Sequence, residues 1–69
     1  MKFCENITLE RKKRGWTQET AGKNLGIKPV TLSAYEEGRA FPRPDTIRKI
    51  IEGYGVKKED VYDFLFSIE

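Results

Sequence analysis

The sequence predicts an all-α domain of five short helices, on three observations. Glycine and proline recur at intervals that suit helices of two to three turns, with no repeat, low-complexity stretch or linker between them. Ile47, Ile50, Ile51 and Tyr54 fall at i, i+3, i+4 and i+7, the spacing of one apolar helical face. Third, 69 residues lie near the lower size limit for independent folding, and the single cysteine, Cys4, cannot close an intramolecular disulfide. The core must then come from closely packed helices, and residues 1–69 are read as one domain.

The first helix is expected from about Glu5 to Arg14, with Phe3, Ile7 and Arg11 at four-residue spacing and Gly15 as a left-handed cap. Thr17 is a favoured N-cap for a second helix, Gln18 to Leu25, which carries Glu19 in its first turn and stops at Gly26. Pro29 suits the first position of a third helix, where its missing N–H would be unpaired anyway, and that helix should run to about Glu37 before Gly38. Residues Arg39 to Arg43 read as a basic, proline-bearing loop. Pro44 and Asp45 open a fourth helix that carries the isoleucine stripe to Gly55. A last helix, about residues 58–67, has Val61, Leu65 and Ile68 on one stripe and Tyr62 and Phe66 on another.

Composition excludes several functions. Hydrophobic residues make up 38%, mean hydropathy is −0.64, and no apolar run approaches the length of a membrane span, so no membrane association is expected. The N-terminus has no signal-peptide apolar region, which points to a cytoplasmic protein. There is no histidine, so the usual zinc sites and any Ser-His or Cys-His pair are ruled out; no metal, cofactor or small-molecule substrate is expected, and the chain is not read as an enzyme. The net charge of +2 says little by itself. Its distribution is more informative: residues 1–49 carry eleven Lys/Arg against six Asp/Glu, a balance of +5, and residues 50–69 carry two against five, a balance of −3.

Two short helices joined by the turn Gly26-Ile27-Lys28 have the layout of a helix-turn-helix, about residues 18–37, whose second helix enters the DNA major groove. Gly22 lies inside the first of these helices, where glycine costs on the order of 1 kcal/mol relative to alanine; close approach of the next helix would explain it. Leu25, Leu32 and Tyr35 are expected to fill the angle between the two helices.

Arg11-x-x-x-Gly15-Trp16-Thr17-Gln18-Glu19, Leu25-Gly26-Ile27, Thr31-Leu32-Ser33-x-Tyr35-Glu36-x-Gly38-Arg39, Pro42 and Tyr54-Gly55-Val56 together make the chain resemble the Cro/repressor-type, XRE-like helix-turn-helix family. The match runs in register from about Ile7 to Leu65. The resemblance implies a compact five-helix, lambda-repressor-like DNA-binding domain that fills the chain.

It also implies site residues. Thr17, Gln18, Thr31, Arg39 and Arg43 match positions that hold DNA phosphate, although Thr17 could serve only as a cap and the two arginines only as solvated loop charge. Lys28, Pro29, Val30, Ser33 and Ala34 match base-reading positions. Pro29, Val30 and Ala34 offer only apolar contact, which suits thymine methyl groups, so a thymine-rich component and some reading of DNA shape are expected. Arg11 and Glu36 match a partly buried salt bridge between the first and third helices, with a bidentate contact available to them; the alternative makes Arg11 a phosphate contact. Three of the four side chains in Arg11-Lys12-Lys13-Arg14 are expected on a solvated face. Trp16 is expected in the core rather than as a stacking platform, because the family carries a core leucine there.

The aromatic residues of the last helix exceed what one core requires. Tyr62, Phe64 and Phe66 are read as a two-fold dimer contact, which would set two recognition helices about 34 Å apart on successive major grooves. Leu9 packs either there or on Phe64. The leading expectation is a small Cro-like repressor of phage or bacterial type that binds a double-stranded, pseudo-palindromic operator as a homodimer in the bacterial cytoplasm or nucleoid. The alternative is an antitoxin-type protein of the same fold whose C-terminal helix binds another protein.

Overall fold

Local capping chemistry sets where the helices begin and end. A computed structural model describes residues 2–66, with α1 at Phe3–Lys13, α2 at Gln18–Leu25, α3 at Pro29–Glu36, α4 at Pro44–Tyr54 and α5 at Val61–Phe66. α1 begins two residues before the expected Glu5. The Glu5 carboxylate occupies the third helical position and accepts from the Lys2 backbone N–H at 2.9 Å, which anchors the first turn upstream of it. α2 has the expected ends: Thr17 caps it by accepting from the Thr20 N–H at 3.1 Å, and Gly26, at φ +74°, closes it in the left-handed region that glycine enters without Cβ strain.

α3 stops at Glu36, one residue before the expected Glu37, which becomes its C-cap. The single last helix expected from about residue 58 is divided into a 3₁₀ turn at Lys58–Asp60 and then α5. Ser67, its expected end, and Ile68, which was to continue the Val61 and Leu65 stripe, lie outside the described residues. No strand is present among the described residues, and no helix there is long and apolar enough to cross a membrane.

α3 packs against both α1 and α2, α4 against α2, and α5 against α1. Ile7 of α1, Leu32 of α3 and Ile50 of α4 are fully buried at the centre, with Phe3, Ala21, Leu25, Ile27, Tyr35, Tyr54 and Phe64 around them. Every helix contributes to this one core, so none has a packing unit of its own. The Asn6 side-chain amide donates to the Phe64 carbonyl at 2.9 Å and ties α1 to α5.

Candidate nucleic-acid interface

The turn between α2 and α3 holds the two helices closer than any side chain at position 22 would allow. The Ile27 N–H donates to the Gly22 carbonyl at 2.8 Å, and a Cβ on Gly22 would lie 2.5 Å from the Ile27 carbonyl oxygen. The oxygen it would meet belongs to backbone and cannot swing aside, so a side chain here would have to push the helices apart. Leu25, Ile27, Leu32 and Tyr35 are buried in the angle, and α3 is thereby held with its first turn facing outward.

Beneath that surface lies an ion-pair hub. Arg11 Nε donates to Glu36 Oε2 at 2.8 Å, with only 14% and 5% of the two side chains exposed. The contact is single rather than bidentate, because the other carboxylate oxygen is taken: Gln18 Nε2 donates to Glu36 Oε1 at 3.1 Å. Arg11 Nη1 turns instead to the Trp16 carbonyl at 2.9 Å. One carboxylate of α3 thus joins α1, α2 and the segment between them. Trp16 is half-buried and stacks on Tyr54, with ring centroids 6.1 Å apart. The Tyr54 hydroxyl is buried without a hydrogen-bond partner; burial, and then the nearby Glu36 charge, push it up to about 12.

At the start of α3, Lys28, Pro29 and Val30 are exposed, Val30 to 72%, while Thr31, next in the chain, and Ser33 and Ala34, one turn further on, are half-buried. At the N-terminus of α2, Thr17 is exposed and the N–H groups of Gln18 and Glu19 precede the intrahelical ladder. Thr17 acts as a cap, and the Gln18 amide retains one N–H beyond its bond to Glu36. Arg39 and Arg43 are exposed in the loop that leads from the C-terminal end of α3 to α4. All ten candidate DNA-contacting residues are exposed or half-buried, and two of them, Gln18 and Arg39, are tied to the end of α3 through Glu36 and Glu37.

Glu37, expected only as the end of the third helix, bonds two of these candidates. Ser33 Oγ donates to its Oε2 at 2.8 Å, and Arg39 Nε donates to its Oε1 at 2.8 Å. These bonds, that of Ser33 first, hold the Glu37 carboxyl below the usual carboxylate range. The i,i+4 spacing of Ser33 and Glu37 was the available signal.

Three residues of the basic run, Lys12, Lys13 and Arg14, are exposed, in line with expectation, and Arg14 nevertheless makes tertiary contacts. Arg14 donates through Nη2 to the Tyr54 carbonyl at 2.7 Å, through Nη1 to Glu10 at 2.8 Å, and stacks over the Tyr54 ring. It satisfies a carbonyl at the end of α4, where a cation is favoured.

Among the expected dimer residues, Phe64 is corrected: it is buried to 9% exposure and packs edge-on against Phe3. Residues two apart on a helix point about 200° away from each other, so Phe64 faces the core while Tyr62 and Phe66 face out. Phe41, in the basic loop between α3 and α4, lies beside them; its ring stacks on Phe66 with centroids 6.2 Å apart. Leu9 remains exposed.

Comparison with known proteins agrees with this architecture. The helix-turn-helix family model matches residues 7–61. Multiprotein-bridging factor 1 of Schizosaccharomyces pombe is similar to the chain, with 32% identity over 54 residues, which cover 78% of this chain and 36% of that protein. The chain thus spans little more than a third of that relative's length. With five α-helices among its described residues, its α2–turn–α3 geometry and this match over most of its length, the chain belongs to the helix-turn-helix family of the Cro/repressor, XRE-like type.

Proposed function

We propose that this chain is a sequence-specific double-stranded DNA-binding regulator, a small Cro-like repressor that inserts the first turn of α3 into the major groove. The observation that supports the reading is the exposure of Lys28, Pro29 and Val30 at the start of α3. In this reading Thr17, Gln18, Thr31, Arg39 and Arg43 hold the backbone, and Lys28, Pro29, Val30, Ser33 and Ala34 read base edges. A dimer, formed through Tyr62 and Phe66 with Phe41 beside them, sets two copies of α3 on successive major grooves. The acidic balance of residues 50–69 supports placing that contact away from phosphate. A bacterial or phage setting belongs to the same reading.

In vitro selection of binding sites from random DNA tests it. The expected product is a pseudo-palindrome whose half-site centres lie about 34 Å apart, with thymines facing Val30 and Ala34. Recovery of no enriched sequence would overturn specific recognition, and a single asymmetric site would overturn the dimer.

A second reading, a partner-binding protein of the same fold, draws on the exposed aromatic residues Phe41, Tyr62 and Phe66 and on a relative whose name describes bridging between proteins. Sedimentation of the free chain and of Phe66→Ala separates the two. A self-associating chain that becomes monomeric on substitution favours the repressor dimer, and a chain monomeric with and without DNA favours a surface for another protein.

A further inference from the structure

We infer that Glu37 is a positioning residue for base recognition: it fixes the Ser33 hydroxyl as a hydrogen-bond acceptor and so selects bases that carry an amino group in the major groove. The inference rests on the reading of Ser33 as a base-contacting residue. Ser33 Oγ lies 2.8 Å from Glu37 Oε2, one helical turn away, and the other Glu37 oxygen holds Arg39 Nε at 2.8 Å.

An ionised carboxylate has no proton to give, so in the Ser33–Glu37 bond the serine must be the donor. Two bonds to the carboxylate keep it ionised at neutral pH, because protonation would sacrifice them. A serine hydroxyl otherwise has one donor and two acceptor sites and adapts to almost any base edge. With its proton committed to Glu37, Ser33 presents only lone pairs. Cytosine N4 and adenine N6 can donate to it, whereas guanine O6 and thymine O4 would meet it lone pair to lone pair.

Arg39 allows this arrangement to sit near a phosphate backbone. Its guanidinium neutralises the Glu37 charge through Nε and keeps four of its five N–H donors for phosphate. Glu37 thus links one base-reading and one backbone-holding residue across the end of α3.

The experiment is site selection with the full chain and with Ser33→Ala and Glu37→Gln, followed by affinities on duplexes varied at the single base pair whose preference Ser33→Ala alters. The unsubstituted chain is expected to favour the amino base on the contacted strand over the keto base by roughly 5–10-fold, and Glu37→Gln to reduce this below about 2-fold with preferences elsewhere unchanged. All three side chains of the linkage sit at the surface or half-buried, so melting temperatures serve as the folding control. If Ser33→Ala alters no preference, base reading by Ser33 is overturned and the inference with it. If Ser33→Ala alters one base pair and Glu37→Gln leaves that pair unchanged, the inference alone is overturned.

Discussion

Glu36 and Glu37 are adjacent, chemically identical and each bound by two side chains, yet they belong to different regions of the molecule. Glu36 is 5% exposed and joins Arg11 and Gln18 beneath α3; Glu37 is 56% exposed and joins Ser33 and Arg39 above it. In the buried hub, water cannot replace a lost partner, so removing one group strands a charge in a poorly solvated place. At the surface, water and salt compete with every contact, and the same bonds contribute little to stability. One helical residue of rotation, about 100°, separates a structural carboxylate from one that faces the proposed DNA.

The largest test of that contrast is Glu36→Ala against Glu37→Ala. The first is expected to lose about 3–5 kcal/mol, comparable to the whole stability of a domain this small, and the second to stay within about 0.5 kcal/mol. Urea melts followed by circular dichroism measure both, and equal midpoints would remove the distinction between the two sites.

Gly22→Ala comes next. The clash with the Ile27 carbonyl oxygen is expected to cost about 1–3 kcal/mol and to tilt α3, whereas Lys23→Ala, one residue along on the exposed side of α2, changes stability little. Loss of DNA affinity beyond the loss of folded protein would show that the angle between α2 and α3 is set by this contact.

On the DNA side, Arg39→Ala and Arg43→Ala are expected to weaken binding to all sequences alike and to flatten the salt dependence by about one unit of slope each, with little change in melting. Gln18 sharpens the comparison, because it touches both regions. Gln18→Ala should lose affinity and also stability, since Glu36 Oε1 loses its donor. A stable Gln18→Ala with normal affinity would remove it from both roles.

The smallest effect concerns Tyr54. Its hydroxyl ordinarily loses its proton near pH 10 and is pushed up to about 12 by burial, so the folded chain keeps a proton that the unfolded chain releases above pH 10. This contribution to stability is complete below pH 10 and is lost as pH rises to about 12. Thermal melts of Tyr54→Phe should show a shallower alkaline decline than the unsubstituted chain. At neutral pH the variant should be equal or more stable, because no hydrogen bond is removed.

Much of the fold was legible because helix ends are local chemistry. Thr17, Gly26, Pro29, Pro44 and Gly55 mark boundaries through their own backbone preferences, whatever packs against them. Glu5 was misjudged by two residues because a carboxylate can begin a helix or cap it from the third position, and only the Lys2 N–H distinguishes the two. The candidate DNA-contacting residues came from family resemblance, since exposed polar side chains have no periodicity of their own. Phe64 was misplaced although helical geometry alone sets it opposite Tyr62 and Phe66.

By itself, then, the sequence determined the number of helices, most of their ends and the apolar stripe of α4, because each depends on neighbours within about one turn. Tertiary structure alone decided the single Arg11–Glu36 contact with Gln18 on the second oxygen, the docking of Arg14 on the Tyr54 carbonyl and the stacking of Phe41 on Phe66. These partners are far apart in the chain, and all depend on where a crossing helix or a folded-back loop brings them. A helix-crossing angle, which the summed packing of the whole core settles, has no local signature in the amino-acid order.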